Sequence, residues 1–253
     1  MQTCDTLLHA GVLLTQDDDR RVLENAALAI DGGCIVALGY SQDVTAAWQA
    51  REILDLSGML VMPGLVNAHT HAAMTFLRGL ADDMPLMDWL QQKIFPVEQG
   101  LTPDLVRLGS LLGFAEMLRT GTTSCVDMYI FEAAVLEAAD KAGLRCLAGE
   151  GVFNFPSACC PDADAALACT REMAQRWAGH DRLHVAVMPH SVYTTTAAQL
   201  TACRELADEL GLPLHIHLAE TRQETALSLE QHGLRPVAHA DRLGLLRPGT
   251  ILA

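Results

Sequence analysis

The sequence predicts an α/β protein: a small N-terminal β-sheet part, then a parallel sheet or (β/α) TIM-type barrel of about six strands. Three observations predict it. From about residue 60 onward, short apolar runs alternate with amphipathic stretches, the rhythm of repeated strand–helix units. Those runs are apolar on both faces, as strands covered on both sides are. Residues 1–60 instead show short β-prone runs separated by turn signals.

In the first part, Thr6 to Thr15 is an apolar run closed by Asp17-Asp18-Asp19, and Ala26–Ile30 and Ile35–Leu38 flank the hairpin signal Asp31-Gly32-Gly33. The short strands form a two-hairpin sheet that rarely stands alone, so its open face needs a partner. In the second part the strand candidates are Met59–Val66, Thr122–Met128, Arg145–Val152, His184–Pro189, Pro213–Leu218 and Thr250–Ala253. The clearest helix runs from Pro103 to Thr120, capped by Thr102 and ended by Gly121. Leu105, Leu108, Leu112, Ala115 and Leu118 recur at helical spacing and are expected on its buried face. A second helix is expected from about Ala197 to Leu210, stopping at Gly211, and another from Thr221 onward.

The 253 residues suffice for one large domain, or one domain plus a small one. Half are apolar and 19% charged, an ordinary globular composition. The net charge of −14 argues against tracking nucleic-acid phosphates. No apolar run approaches the ~18–20 residues of a membrane span, and the N-terminus lacks the basic start of a secretory signal. A cytoplasmic protein is expected. The eight cysteines form no C-x-x-C pair, and read as mostly buried small hydrophobes in a reducing compartment.

Two motifs carry chemistry. In Pro63-Gly64-Leu65-Val66-Asn67-Ala68-His69-Thr70-His71, two histidines two residues apart at a strand end project to one side. They either present two imidazoles to one metal ion or are partly exposed loop histidines. In Leu214-His215-Ile216-His217-Leu218-Ala219-Glu220 the pattern recurs, with a carboxylate three residues after the second histidine. His217, nearer the strand's C-terminal end, reaches the metal; His215 lies one layer lower, as a hydrogen-bonded core histidine or a further ligand. Glu220 either moves protons beside an activated water or is a helix-start residue favoured by the macrodipole.

Together the strand-end H-x-H and H-x-x-E resemble the amidohydrolase superfamily. The stretch from Met62 to Glu98, then Thr120-Gly121-Thr122-Thr123, Asp127-Met128-Tyr129 and Met188-Pro189-His190-Ser191, is similar to the branch that contains 5-methylthioadenosine/S-adenosylhomocysteine deaminases. Triazine hydrolases and guanine-type deaminases are its cousins. The resemblance implies that residues 1–60 are the N-terminal part of a composite β-sandwich and 61–253 a partial metal-dependent barrel. It implies that His69, His71 and His217 hold one divalent ion, zinc before iron, and that Glu220 shuttles the proton between attacking water and a ring nitrogen. Glu98 holds the ribose hydroxyls. His190 contacts substrate or is structural, and Trp89 lines the pocket or packs in the core. The implied reaction is hydrolytic deamination of 5-methylthioadenosine, S-adenosylhomocysteine or adenosine to the inosine analogue plus ammonia. The implied partner is that small molecule, with neither nucleic acid nor membrane, in a homo-oligomer.

Two departures qualify this. Branch members that accept S-adenosylhomocysteine grip its carboxylate with arginine; the matching position is Glu150, and Cys146 to Thr170 holds no Lys or Arg. Neutral 5′ groups are therefore expected, unless Glu150 meets a cationic amino group. The family also uses a histidine at the end of strand six and an aspartate at the end of strand eight, which this chain does not supply; His9, His180, His184, His232 and His239 are no substitutes. The chain is expected to be the N-terminal portion of a longer polypeptide, inactive alone. The alternatives are a guanine, pterin or futalosine-type deaminase, a triazine chlorohydrolase, or a metal-binding fragment without catalysis.

Overall fold

In the computed structural model, which describes residues 1–253, the chain forms two units, Met1–Gly64 and Leu65–Ala253. In the first, β1 (Gln2–Leu14) pairs antiparallel with β2 (Val22–Asp31), and β2 with β3 (Cys34–Tyr40). Gly32 and Gly33 both have positive φ, 57° and 79°, as the tight β2–β3 turn requires. A helix that the sequence reading missed, α1 (Ser41–Ala47), then leads to β4 (Trp48–Val61). This strand lies parallel to β1, completing the order β3-β2-β1-β4. The strands are not short: β1 and β4 span 13 and 14 residues. Both edge strands expose large apolar groups, among them Ile35, Ile53, Met59 and Leu60.

The expected strand Met59–Val66 is in fact two. Its first residues complete β4, and β5 (Leu65–Thr70) starts afresh beyond Pro63-Gly64. Proline has no N–H to continue a ladder. In the second unit, β5, β6 (Thr122–Tyr129) and β7 (Arg145–Val152) pair in parallel. The next expected strand also breaks, into β8 (Leu183–Val185) and β9 (Met188–Pro189), both on β7. At the break Val187 turns its backbone toward Leu214, and the Val187 carbonyl accepts the His215 N–H at 3.0 Å. A parallel bridge from Ser191 to His217 continues the join to β10 (Leu214–Ile216). β10 pairs in parallel with β11 (Thr250–Leu252). This partner exchange curls the sheet into a half-barrel and gathers its C-terminal strand ends.

Helices connect the strands. After β5 come a 3₁₀ turn (Ala72–Leu77), α2 (Leu86–Trp89), a π-turn (Leu90–Ile94) and α3 (Phe95–Glu98). Then α4 (Pro103–Arg119) precedes β6, α5 (Glu132–Ala142) precedes β7 and α6 (Ala163–Arg176) precedes β8. The last three are α7 (Ala197–Leu210), α8 (Arg222–His232) and α9 (Pro236–Arg242). The Thr102 side chain caps α4, accepting the Leu105 N–H at 3.3 Å, and α7 ends at Gly211. No helix is long and apolar enough to cross a membrane.

The buried face of α4 is the reverse of the expected one. Leu108 is 57% and Leu112 45% exposed, while Val106, Gly109, Ser110, Gly113 and Phe114 face inward. Close approach decides this. A Cβ on Gly109 would stand 2.5 Å from the Ala73 carbonyl oxygen, and one on Gly113 3.0 Å from that of Ala72. Only glycine lets the helix lie directly against the turn that follows His71. Replacing Gly109 with alanine gains at most ~1 kcal/mol of helix propensity but overpacks this contact at a cost of about 1–3 kcal/mol. Urea denaturation is expected to show net destabilisation for Gly109→Ala and a change within about 0.5 kcal/mol for exposed Leu108→Ala. The opposite ranking would contradict this packing.

Candidate metal centre

His69 and His71 lie at the C-terminal end of β5, and His217 directly follows β10. The Nε2 atoms of His69 and His71 are 3.3 Å apart, and those of His217 and His69 are 3.0 Å apart. The Nδ1 of His71 faces the Met128 carbonyl, and that of His217 stands 2.9 Å from the His190 carbonyl. A carbonyl only accepts, so each Nδ1 is the protonated nitrogen. The Nε2 of both rings therefore carries a bare lone pair, aimed at its neighbours. Burial holds all three imidazoles below their usual pKa, His71 at about 4, so they stay neutral. Convergent lone pairs repel unless a cation lies between them. At a zinc–imidazole bond of ~2.0–2.1 Å, tetrahedral ligands stand about 3.3–3.4 Å apart, close to the spacing found. The three residues fit a divalent ion.

The loops that carry these ligands are held by buried carboxylates. Asp127, on β6, accepts the Ala72 N–H at 2.8 Å, fixing the residue after His71. Burial raises its pKa to about 7. Beyond His217, Ala219 takes a left-handed conformation with φ 62°. Glu224 then accepts the backbone N–H groups of Ala219 at 3.0 Å and Glu220 at 2.7 Å. Sequence reasoning quoted Asp127 within a motif but gave it no role, and missed Glu224. Thr221-Arg222-Gln223-Glu224 is legible as a capping-box pattern, and Thr221 does accept the Glu224 N–H at 3.0 Å. That the carboxylate reaches back past the cap to Glu220 was not legible.

One cavity in the second unit collects most of the predicted site. His71, His217, Glu98, His190, Trp89 and Glu220 all line it. Burial raises the carboxyl pKa of Glu98, and burial followed by the Glu224 charge raises that of Glu220. The His190 ring is tilted against those of Phe153 and His217, with centroids 4.9 Å away in each case, and its Nδ1 lies 2.8 Å from the Thr194 hydroxyl. Phe95, Phe153, Tyr129 and Tyr193 add apolar walls that were not singled out from sequence.

One expectation is met in part: His215 is a core histidine, 1% exposed, but neither ring nitrogen has a hydrogen-bond partner within the protein. Its ring centroid lies 6.3 Å from that of His69 and 5.9 Å from that of His217, beneath the triad. A second expectation fails: Glu150 does not reach the cavity. It is buried, and its oxygens accept the Phe131 and Glu132 N–H groups at 3.1 and 3.0 Å. Backbone donors in the β6–α5 loop draw the carboxylate away from the pocket and against Cys159.

Residues 60–253 match the model of the amidohydrolase family. A Desulfovibrio desulfuricans protein named 5-methylthioadenosine/S-adenosylhomocysteine deaminase is 62% identical over 97% of this chain and 56% of its own length. A crystal structure of an adenosine deaminase from Xanthomonas campestris with bound zinc superposes with a TM-score of 0.96. It is 40% identical over 99% of this chain and 57% of that one. Atrazine chlorohydrolase from Arthrobacter aurescens TC1, complexed with zinc, shares the fold with a TM-score of 0.87 at 22% identity, over 98% of this chain and 60% of that one. The chain spans little more than half the length of these relatives. The motif resemblance is borne out: the chain belongs to the amidohydrolase family.

Proposed function

We propose that, in the whole protein, this chain supplies the metal ligands and the proton-transfer group for hydrolytic deamination of an adenosine-type nucleoside. The observation that carries the reading is the three-histidine cluster of His69, His71 and His217, two of whose members, His71 and His217, share one cavity with Glu220. The names of the relatives support the substrate class. His69, His71 and His217 would hold the ion, and zinc is favoured over iron by its presence in the related structures. When bound, a divalent ion supplies Lewis-acid activation of water at neutral pH. Glu220 has a raised pKa and a clamped backbone, so its carboxylate can take a proton from water and return it to a ring nitrogen. Glu98 accepts from the ribose hydroxyls, and Trp89 and the phenylalanines pack against the apolar parts of the ligand. His190 holds His217 through its carbonyl and faces the substrate with its ring.

The same reading takes residues 1–60 as part of a composite β-sandwich and residues 61–253 as part of a TIM-type barrel. The exposed apolar edges of the first unit and the parallel curl of the second support it. The substrate preference now rests on different residues. Glu150 is turned away, but the cavity has no lysine or arginine in its lining and four phenylalanine or tyrosine rings. Such walls suit a neutral 5′ group, so 5-methylthioadenosine or adenosine is favoured over S-adenosylhomocysteine, whose carboxylate needs a cation.

Two measurements test this. Purified chain is expected to bind one zinc ion in competition with a chromophoric chelator. His69→Ala, His71→Ala and His217→Ala should each weaken it by more than the ~10–100-fold lost when only a supporting group is removed. Unchanged affinity in all three would overturn the triad as ligands. Glu220→Gln in the whole protein is expected to lower kcat for ammonia release by ~10²–10⁴-fold with little change in KM. Over a panel of nucleosides, bases and triazines, release confined to guanine, pterins or chlorotriazines would refute the adenosine reading.

A further inference from the structure

A second ligand cluster lies away from the histidines. The sulfurs of Cys159, Cys160 and Cys169 all fall within 4.8 Å of one another, and those of Cys160 and Cys169 are 3.7 Å apart. Local structure aims them. Ser157 accepts the N–H groups of Cys159 and Cys160 on its hydroxyl at 3.3 and 3.0 Å. The Ser157 N–H donates to the Cys160 carbonyl at 2.9 Å, closing a tight turn. The Asp162 cap, accepting the Ala165 N–H at 2.8 Å, then starts α6, which returns Cys169 to the same point. Cys159 and Cys169 border a cavity of about 200 Å³ that shares no residue with the histidine pocket. Met173, four residues beyond Cys169 on the same helix face, lines it too.

We propose that Cys159, Cys160 and Cys169 form a second metal site, selective for the soft monovalent ion Cu(I). At a metal–thiolate bond of ~2.3 Å, three sulfurs around one ion stand about 3.8–4.0 Å apart, so the cluster needs only small side-chain rotations. The donor set chooses the ion. Three thiolates satisfy a three-coordinate Cu(I), and a thioether nearby reinforces the softness. A structural zinc site takes four ligands, and the adjacent carboxylate, Glu150, already accepts two backbone N–H groups. Binding exchanges three S–H bonds for three metal–sulfur bonds, with the protons released to solvent and no change of oxidation state. Half-buried Cys159 and Cys169 leave the ion an entry path, whereas Cys160 is 4% exposed. By contrast Cys125 and Cys146, 3.6 Å apart, are only two sulfurs, both buried. This site does not depend on the deaminase reading.

The test is anaerobic titration of the reduced chain with Cu(I) against a chromophoric Cu(I) chelator, with X-ray absorption at the copper edge. We expect one tightly held ion with three sulfur neighbours at ~2.3 Å. Cys159→Ser and Cys169→Ser should each weaken it at least about tenfold. Cys34→Ser, at an exposed thiol in the first unit, should leave it unchanged. The absorption spectrum of the unaltered chain decides the ligands even if a serine variant misfolds. Nitrogen in place of sulfur around copper, affinity indifferent to both serine variants, or zinc held more tightly than Cu(I) at the cysteines would each overturn the proposal. So would a Cys160–Cys169 disulfide that forms in preference to copper binding.

Discussion

An imidazole has two nitrogens, and in this fold they are given different work. One nitrogen of His71 and one of His217 face backbone carbonyls, of Met128 on β6 and of His190 just past β9. Those contacts set the tautomer, and the tautomer turns the other nitrogen's lone pair inward. Everything around the site serves that geometry. The partner exchange at Val187 brings β10 alongside β9, so that the His190 carbonyl stands over His217. The glycine face of α4 presses on the turn after His71, and Asp127 holds that turn from the strand side. Neutral imidazoles with converging lone pairs repel one another, and a cation between them relieves that repulsion.

Buried carboxylates act as clamps. Asp127, Glu150 and Glu224 each accept backbone N–H groups from a loop at the C-terminal end of a strand. A carboxylate offers several acceptor sites and can hold two adjacent N–H groups at once, which a hydroxyl cannot do as rigidly. The loops would otherwise be the most mobile parts of the unit. Burial carries a desolvation cost, visible in the raised pKa values of Asp127 and Glu150. At Asp127 that cost goes with fixing the residue next to a ligand histidine.

The same residue types read very differently by position. Glu220 lies just past β10 and Glu150 near the C-terminal end of β7, and both looked able to meet a ligand. One lines the cavity and the other faces its own backbone. The leucine row of α4 had the spacing of a buried stripe, yet the glycine face is buried instead. Helical periodicity identifies a stripe but not which of two stripes has a neighbour close enough to touch. The break at Pro63-Gly64 was written in the residues but passed over, because the flanking apolar runs read as one.

By itself the sequence determined what depends on near neighbours along the chain. The H-x-H spacing puts its two side chains on one side of a strand end because strands have a period of two, whereas Glu220, three residues past His217, comes to the same cavity beyond the left-handed turn at Ala219. Thr102-Pro103 and Gly211 bounded their helices through capping and backbone freedom. Tertiary structure alone decided what depends on distant neighbours: the carbonyl that orients His217 lies 27 residues upstream of it. It also decided the donors that turn Glu150 away, the glycine contact of α4, and the meeting of Cys169 with Cys159 and Cys160. The reason is that pattern is a local property, whereas burial and hydrogen-bond partners are set by whichever surface the fold brings into contact.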